Sequence, residues 1–486
     1  MTNNIVLLNV KSDQVVYPLG LLYVGSALKR AGFDVKIYNI LPEKIDENID
    51  KIIELNPLFV GLSVFTGIHT AVAVKTSERL KQENPSLTIV WGGIHPSLIP
   101  GQCLLDAFVD IVVMGEGEET VVDLAQHLKN GSDLGDVKGI GFKSKDEIVI
   151  NQPRPLIKNL DDFRIDWSLI DLRQCIDTVY TDTRYMGYMS SRGCPFNCGF
   201  CYNRAFNKRK WRSHSFEHVA GEIMDLKQRS GINGIVFFDD NFMVDVPRAI
   251  KILRFLKENG IKCVRLEMRL DILNEEILNT IYELGVRMVF VGWESGSNRM
   301  LKLIDKRITR EEIIDKFRLF SRYPKIGVSA SSIIGFPTET WQEICQTIDL
   351  GLEIAKSIPF NIITFQTFLP YPGTDMYQLA IKQGHKPPKH SCEWGGYNTF
   401  YGDMKLEWLP WANKETARIF YRIDKYGKLL NHAPSTTLLR TLGKKICYYL
   451  SRFRLHNRFF FLPFEIFLLH RFNRYYMDSK GRRKKR

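Results

Sequence analysis

The chain has 486 residues, 44% of them hydrophobic and 25% charged, and this length exceeds what one hydrophobic core supports. Its nine cysteines are odd in number and no leader-like segment precedes the first apolar run, so we expect a reducing cytoplasmic location and no disulfide framework. A net charge of +13 is carried almost wholly by the C-terminal end, and no stretch reaches the roughly 18 apolar residues of a spanning helix.

Five short apolar runs alternate with amphipathic stretches in the first third of the chain and predict buried parallel strands. The predicted strands are Ile5–Val10, Val35–Ile40, Phe59–Val64, Thr88–Trp91 and Ile111–Met114. This alternation indicates a doubly wound, Rossmann-like α/β domain over 1–145. Residues 146–184 contain prolines and few periodic signals, and they predict a linker.

A second series of strands and helices is predicted over 185–390. Its six strands are Tyr185–Ser191, Gly234–Phe238, Cys263–Met268, Met288–Trp293, Val328–Ile334 and Ile362–Phe368. Six strand–helix repeats indicate a partial (β/α)6 barrel of the TIM type, whose active site lies at the carboxyl ends of the strands. The alternation stops near residue 391, and we expect a mainly helical region over 391–486.

Three cysteines, Cys194, Cys198 and Cys201, follow the first strand of this barrel in a sharply turning segment. Spacings of four and three residues let three thiolates bind three corners of one [4Fe–4S] cube and leave the fourth iron open to react. Two simpler interpretations are structural zinc, with His214 as the nearest fourth ligand, and chance among nine cysteines. Polar motifs at the ends of the following strands disfavour both.

The cysteine spacing resembles that of the radical S-adenosylmethionine (SAM) enzymes, and the resemblance covers roughly 185–375. In that family the open iron binds SAM, and segments at successive strand ends contact it. The resemblance implies SAM-binding roles for Phe200, Asp239, Asp240, Arg269, Glu294, Ser295, Gly335 and Pro337. Each of these motifs is weak alone, and the prediction depends on their succession at the strand ends.

The first domain resembles cobalamin-binding Rossmann domains, which carry a Ser-x-Leu segment and then a Gly-Gly pair. Ser63 opens the matching segment here, and the glycine pair lies one strand–helix unit later. The resemblance implies a cobalamin site formed by Gly20, Ser63, Gly92, Gly93, His95, Gly115 and Glu116 at the carboxyl edge of the sheet.

The chain departs from the cobalamin-binding pattern at the residue expected to bind cobalt. Tyr17 stands where the family's cobalt-binding His is found, and Val15 stands where the Asp that orients it is found. Neutral tyrosine is a poor cobalt ligand, so we expect no bond between a protein His and cobalt. We interpret His95 as a loop-structuring or tail-contacting residue in preference to a metal ligand.

Together the two domains resemble the class B, cobalamin-dependent radical SAM enzymes, which implies a [4Fe–4S] cluster, SAM and cobalamin as cofactors. The preferred prediction is methylation of an unactivated carbon. An oxidative cyclase or rearrangement enzyme of the anaerobic porphyrin-cyclase type is the alternative within the family, and a cobalamin-binding or redox-sensing module is the non-enzyme alternative. A tRNA methylthiotransferase is disfavoured because only Cys103 and Cys175 precede the triplet.

The segment 440–486 holds fourteen lysines and arginines, two acids and eleven Phe or Tyr residues, a net charge of +12. It predicts either a helix on an anionic membrane surface or a packed cap with a basic tail, and nucleic-acid binding is a weaker third interpretation. Trp394, Trp408 and Trp411 suggest an apolar or aromatic small-molecule substrate, although tryptophans that only pack on the surface would give the same pattern. A membrane-bound tail would favour a lipid-like substrate. A flavodoxin or ferredoxin is the expected electron donor.

Overall fold

The computed structural model describes residues 2–10, 17–40, 44–145, 147–179, 182–358, 361–397, 408–430 and 438–460. The chain divides into two compact units. The first contains Met1–Met268, Glu283–Val286 and Leu369–Phe400, and the second contains Arg269–Tyr282, Arg287–Phe368 and Tyr401–Arg486. Val15 and the whole of 461–486 lie outside the described residues.

A seven-stranded sheet forms the start of the first unit. Its strands are β1 (Asn4–Val10), β2 (Asp34–Ile40), β3 (Val60–Ser63), β4 (Ile89–Gly92), β5 (Ile111–Val113), β6 (Ile140–Ser144) and β7 (Glu147–Ile150). The spatial order is β2-β1-β3-β4-β5-β6-β7. The first five strands are parallel, and β6 and β7 are antiparallel additions. The sheet therefore continues past residue 145, where the sequence predicted the domain to end.

Helices cover both faces of this sheet because its strands are apolar on both sides. Ile5 and Leu7 face one buried cluster, while Val6 and Leu8 face the other. The helices are α1 (Leu19–Arg30), α2 (Asp46–Glu54), α3 (Ile68–Glu83), α4 (Ile94–Leu98), α5 (Pro100–Leu105) and α6 (Glu118–Asn130). The predicted doubly wound domain is confirmed, and its strand order reverses between β1 and β3, where such folds bind ligands.

The later strands and helices of the chain repeat in β/α order. The strands are β8 (Asp177–Val179), β9 (Thr183–Tyr188), β10 (Ser191–Arg192), β11 (Arg212–Ser213), β12 (Gly234–Phe237), β13 (Lys262–Arg269), β14 (Met288–Glu294), β15 (Gly327–Ile334) and β16 (Asn361–Thr367). The helices are α7 (Asn203–Phe206), α8 (Phe216–Ser230), α9 (Val246–Glu258), α10 (Glu275–Glu283), α11 (Asn298–Leu303), α12 (Arg310–Phe320), α13 (Trp341–Ser357), α14 (Asp375–Lys382), α15 (Lys414–Leu429) and α16 (Leu438–His456).

Parallel pairing within each unit agrees with the predicted partial barrel. In the first unit β12 lies between β9 and β13, and in the second β15 lies between β14 and β16. Each of these six strands leads to a helix, in the order that the sequence predicted. Side-chain caps fix several helix starts, among them capping boxes at Thr309 and Thr340.

Two helices, α15 and α16, are the main described elements after residue 408. Leu455 and Phe460 are buried, and the Arg458 side chain donates to Asp349 of α13 at 2.6 Å. Residues 438–460 therefore pack within the second unit. None of the described helices is long and apolar enough to cross a membrane.

Candidate cluster and cofactor site

The three cysteines lie in the loop between β10 and α7, at the carboxyl end of β9. None of them is in a disulfide, and each is partly exposed. A backbone hydrogen bond from Cys201 N to Cys198 O turns the segment at 3.1 Å. Three soft thiol donors in one tight turn fit a [4Fe–4S] cluster that has one open iron.

Gly193 fixes the start of this loop because no other residue fits its backbone. Its φ is +84°, and a Cβ placed on it would lie 2.1 Å from the carbonyl oxygen of Lys210. The loop therefore crosses the following chain at a distance that excludes any side chain.

Asp239 and Asp240 follow the end of β12 and have different partners. Asp240 accepts hydrogen bonds from Gly193 N at 2.9 Å and from the Tyr202 hydroxyl at 3.2 Å, so it holds both ends of the cysteine segment. Asp239 is fully buried and accepts from Ser190 and Ser191. Burial raises the pKa of Asp239 to about 6, against the effect of those hydrogen bonds.

Asn241 is a candidate that the sequence analysis did not single out. Its side chain is fully buried, and among the described residues neither its Oδ1 nor its Nδ2 has a hydrogen-bond partner. Unpaired buried amides are costly, and this one follows the aspartate that holds the cluster loop. Donor and acceptor atoms of this kind fit the amino and carboxylate groups of SAM. The sequence signal for Asn241 was that it is the third polar residue in a row after a predicted strand.

Five of the predicted SAM residues belong to the second unit. Arg269 binds Asp271 at 2.9 Å and the Lys306 carbonyl at 2.6 Å, and Glu294 accepts from the buried Lys306 ammonium at 2.8 Å. Ser295 donates to or accepts from Thr347 at 3.3 Å. Gly335 has a φ of +82°, and Pro337 is buried in the same turn.

A glycine-lined cavity of about 680 Å³ opens at the carboxyl edge of the first sheet. Six of the seven predicted cobalamin residues line it, namely Gly20, Ser63, Gly92, Gly93, Gly115 and Glu116. A Cβ on Gly93 would meet the Val64 backbone at 3.0 Å, while Gly20 and Gly115 have open space. The small residues make a cradle that larger ones would fill, which fits the tail of cobalamin.

The same cavity is bordered by the cluster loop and the barrel. Tyr202, Phe206 and Asn207 line it from the cysteine loop and its helix, and Phe238 and Asp240 line it from the end of β12. Phe200 lies in the same loop, immediately before Cys201. The cavity lined by the predicted cobalamin residues thus reaches Tyr202, the residue after Cys201, within one compact unit.

His95 and Tyr17 differ in their relation to the cavity: Tyr17 is among its lining residues and His95 is not. His95 is buried outside the cavity lining, with Nδ1 3.0 Å from the Thr66 hydroxyl and its ring against Trp394. Burial lowers the pKa of His95 to about 3. Tyr17 lines the cavity and packs on Phe238 with ring centroids 5.3 Å apart.

A buried ion-pair cluster joins the cavity rim to the cluster loop. Arg192 precedes Gly193, and it binds Glu116 at 3.0 Å and Glu118 at 2.6 Å. Glu116 also accepts from Arg212 at 2.6 Å. Arg192 lies over the Tyr23 ring at 4.5 Å. These contacts join residues far apart in the chain, and the sequence carried no signal for them.

His214, the zinc ligand considered from the sequence, has other partners. Its Nε2 lies 3.1 Å from the Tyr23 hydroxyl, and its Nδ1 lies 3.0 Å from Asp161. Among the described residues, Asp161, His214 and His218 form a group with ligand atoms close together. The two imidazoles are nearly parallel with centroids 4.2 Å apart, so their in-plane lone pairs do not converge on one ion.

The predicted substrate-lining tryptophans are used in packing. Trp394 and Trp408 are buried, and their indoles donate to Gln102 Oε1 and the Phe368 carbonyl. The Trp411 indole donates to the Gly335 carbonyl. These partners leave the apolar substrate as a prediction only.

A Rossmann-like domain followed by β/α repeats with a three-cysteine loop defines a radical SAM protein that carries a cobalamin-binding domain. The chain matches the radical SAM superfamily over 188–351 and the B12 binding domain over 5–125. An uncharacterised methyltransferase of Pyrococcus horikoshii is 34% identical over 397 residues, 80% of this chain and 83% of the relative. The chain belongs to this family of B12-binding radical SAM proteins.

Other relatives have different reactions in their names. The cytidylyl-2-hydroxyethylphosphonate methyltransferase of Streptomyces wedmorensis is 26% identical, over 84% of this chain and 85% of the relative. The anaerobic magnesium-protoporphyrin IX monomethyl ester cyclase of Synechocystis is 31% identical, over 60% and 59%.

Two solved structures share the fold. OxsB, a cobalamin-dependent SAM radical enzyme, has a TM-score of 0.71 at 19% identity and covers 93% of this chain and 72% of its own. TsrM of Kitasatospora setae, a radical SAM methyltransferase solved with cobalamin and a [4Fe–4S] cluster, has a TM-score of 0.64 at 16% identity, over 80% and 76%.

The family membership confirms several predictions. The chain is an enzyme of the cobalamin-dependent radical SAM type, and [4Fe–4S], SAM and cobalamin are its cofactors. The residues that hold each cofactor, and the domain boundaries, stay predictions.

Proposed function

We propose that this enzyme methylates an unactivated carbon of a small molecule inside the cavity of the first unit. One observation carries the proposal: the glycine cradle predicted for cobalamin and the loop of Cys194, Cys198 and Cys201 border a single cavity. A methyl donor and a radical source must lie close together for such a reaction. The names of two relatives that are matched over more than four fifths of their length agree with methyl transfer.

Each cofactor has its proposed residues. The three cysteines hold the cluster, and Phe200, Asp239, Asp240 and Asn241 of the first unit are the proposed SAM contacts. The roles implied for Arg269, Glu294, Ser295, Gly335 and Pro337, which belong to the second unit, stay predictions from the sequence. When bound, the cluster and SAM supply a carbon-centred radical, and cobalamin supplies the methyl group.

The chain's own residues orient the cofactors and exclude water. Asp240 fixes the cysteine loop, and Arg192 ties that loop to the cavity rim through Glu116 and Glu118. Tyr17 and Phe238 place aromatic surface in the cavity, which keeps a radical away from solvent.

Oxidative cyclisation without methyl transfer is the second candidate, and the 31% identity to the Synechocystis cyclase favours it. The two functions differ in the fate of SAM. Methyl transfer yields S-adenosylhomocysteine together with 5′-deoxyadenosine, whereas cyclisation yields 5′-deoxyadenosine alone.

The test uses the full chain reconstituted anaerobically with iron, sulfide and cobalamin. It is supplied with a reductant, SAM deuterated at the methyl group, and a protein-free cell extract as the source of substrates. Mass spectrometry should find both SAM products and a small molecule that gains the labelled methyl. The Cys194→Ala variant should lose the cluster absorption and both products, while Cys345→Ala retains them. Full cluster content in Cys194→Ala would overturn the assignment.

We also propose a cytoplasmic location and reduction by a flavodoxin or ferredoxin.

We further propose that 461–486 makes peripheral contact with a membrane. That segment carries eight basic residues and two acids, and it follows the packed helix α16. Each engaged basic residue contributes about 1 kcal/mol near an anionic surface. Deleting 461–486 should abolish salt-sensitive binding to phosphatidylserine vesicles with cofactor content unchanged. Equal vesicle binding by the full and truncated chains would contradict the membrane proposal.

A further inference from the structure

Three consecutive basic residues, Lys208, Arg209 and Lys210, follow α7 and have no part in the roles described above. All three side chains are exposed. Lys208 and Arg209 have φ of +50° and +59°, so the backbone turns sharply at this point. Within the described part of the chain none of the three side chains forms an ion pair or a hydrogen bond. We call residues 208–210 the basic turn, and its three charges are available to a partner.

The basic turn lies directly against the start of the cysteine loop. The carbonyl oxygen of Lys210 is so close to Gly193 that it leaves no room for a Cβ there. Gly193 is the residue before Cys194, and all three cysteines of the loop are partly exposed. The basic turn therefore belongs to the protein surface next to the thiols proposed to hold the cluster.

The basic turn is a concentration of charge in a region that lacks acids. Residues 193–216 contain five lysines and arginines and no Asp or Glu. Two of the five, Arg204 and Arg212, form ion pairs, which leaves the three cations of the basic turn. Residues 1–439 have a net charge of only +1, since the chain carries +13 and 440–486 carries +12. Three unpaired cations against this balanced background create a local positive potential that attracts an acidic surface.

The position of these charges fits the delivery of electrons. SAM cleavage at the cluster consumes one electron, which has to come from outside the chain. Electron-transfer proteins meet their partners through small interfaces, often below about 1,200 Å² of buried surface, and complementary charge sets the rate of such encounters. Three cations in one turn suit an encounter of this size. By themselves they are too few for the series of phosphate contacts that holds a nucleic acid.

We propose that the basic turn is the docking surface for the electron donor, a small acidic protein that carries one electron at a time. This inference rests on the proposed reduction by a flavodoxin or ferredoxin and gives that reaction a place on the surface. In each encounter one electron leaves the reduced carrier and reduces the cluster, while no bond forms or breaks and no proton is transferred. The attraction acts within a Debye length, about 8 Å at physiological salt, so it is lost at high ionic strength.

The first test measures binding and needs neither substrate nor electron transfer. Oxidised flavodoxin is titrated calorimetrically into the full-length protein loaded with cluster and cobalamin. Joint substitution of Lys208→Glu, Arg209→Glu and Lys210→Glu should raise the Kd at least about tenfold at low salt, because three attractions become repulsions. The difference should shrink to about twofold near 0.5 M NaCl, where charges are screened within a few ångströms.

The matched control reverses three exposed lysines of the same unit on other elements. Lys51 lies on α2, Lys75 lies on α3, and Lys138 precedes β6. Lys51→Glu, Lys75→Glu and Lys138→Glu together change the net charge as much as the reversal of the basic turn does. The two variants therefore differ only in where the charge is changed, and the control should keep its Kd within about threefold. Equal Kd values for the two variants would overturn the proposal.

The second test separates docking from damage to the cluster loop. Cleavage of SAM without substrate is followed as 5′-deoxyadenosine, with either reduced flavodoxin or reduced methyl viologen as the electron source. Reversal of the basic turn should slow the flavodoxin-driven reaction about tenfold. Cluster absorption and the viologen-driven rate should stay within about twofold, because the viologen is a small cation that the basic turn does not attract.

A milder variant protects this test against misfolding. Lys208→Gln, Arg209→Gln and Lys210→Gln remove the charges without reversing them and should give an intermediate flavodoxin-driven rate. An unchanged flavodoxin-driven rate in both variants, or an equal fall with both reductants, would overturn the proposal. If neither flavodoxin nor ferredoxin drives SAM cleavage by the unsubstituted protein, the docking surface and the proposed donor fail together. Methyl transfer is tested separately by the labelled SAM, so its outcome is independent of this one.

Discussion

The carboxylate of Asp240 accepts a hydrogen bond from the backbone amide of Gly193 at 2.9 Å, one residue before Cys194. Its other oxygen accepts from the Tyr202 hydroxyl, one residue after Cys201. The end of β12 therefore holds the cysteine segment at both of its ends. The loop is positioned by the barrel and does not depend on the cluster alone for its shape.

Gly193→Ala should prevent this loop from closing. The added Cβ would lie 2.1 Å from the Lys210 carbonyl oxygen, so the backbone has to move away from Asp240. We expect bound iron and cluster absorption to fall at least about fivefold. Gly131→Ala is the matched control, because Gly131 has a φ of +65° and open space around its Cβ position. Equal iron content in the two variants would contradict the proposed loop geometry.

The regular parts of the fold were predictable because their physical causes are local. In β1 the residues Ile5 to Leu8 are buried on both faces, and such runs predict parallel strands. The β6–β7 hairpin was missed because β7 is only four residues long and mostly exposed, although three of its residues are apolar. The prediction therefore ended the domain near 145, while the sheet continues to Ile150.

The candidate site was predictable only where residues are close in sequence. The three cysteines and the Gly92–Gly93 pair could be recognised because each motif lies within one short segment of the sequence. The ion pair between Glu116 and Arg192 joins residues 76 positions apart, and either residue alone resembles an ordinary surface charge. Such pairings depend on the packed structure.

Arg192→Met should lower the free energy of unfolding, because it removes a cation that pairs with the buried carboxylates of Glu116 and Glu118. Glu118 would lose its arginine partner, and Glu116 would keep Arg212 and the backbone amide of Ile157, in a site where all these side chains are largely buried. Removing one member of a buried ion pair costs about 3 kcal/mol in the free energy of unfolding. Urea denaturation measures the loss. Arg173→Met is the control, because Arg173 pairs with Asp171 on the surface, and its loss should leave the urea midpoint almost unchanged. Equal losses in the two variants would count against the buried cluster.

Cobalamin bound to the full chain should lack a nitrogen ligand on its lower face. Tyr17 occupies the expected histidine position and lines the cavity. Electron paramagnetic resonance of the cob(II)alamin form should therefore lack nitrogen superhyperfine splitting. Tyr17→His should introduce that splitting if residue 17 faces cobalt. Splitting in the unsubstituted protein would contradict the prediction, and its absence from both proteins would place residue 17 away from the metal.

Glu339 should make the protein less stable as the pH rises from about 4.5 to 8. One of its oxygens accepts from the backbone amides of Gly335 at 2.6 Å and Phe336 at 3.1 Å, and burial raises its pKa to about 8. The native state thus holds a proton that the unfolded chain releases near its ordinary pKa of about 4.3. Stability falls with pH wherever the native state binds more protons, by at most about 1.4 kcal/mol per pH unit for one group.

Glu339→Gln should remove this dependence, because an amide oxygen still accepts both backbone hydrogen bonds and carries no titrating proton. Urea unfolding at pH 5, 6, 7 and 8 should show the advantage of the Gln variant growing with pH. Glu343 supplies the control of opposite sign, since its hydrogen bond from Arg299 lowers its pKa to about 2. The contribution of Glu343 is present above its ordinary pKa and is lost only as the pH falls toward 2, so Glu343→Gln should shift stability by a constant amount between pH 5 and 8. Parallel curves for Glu339→Gln and the unsubstituted protein would show that Glu339 is ionised in the native state.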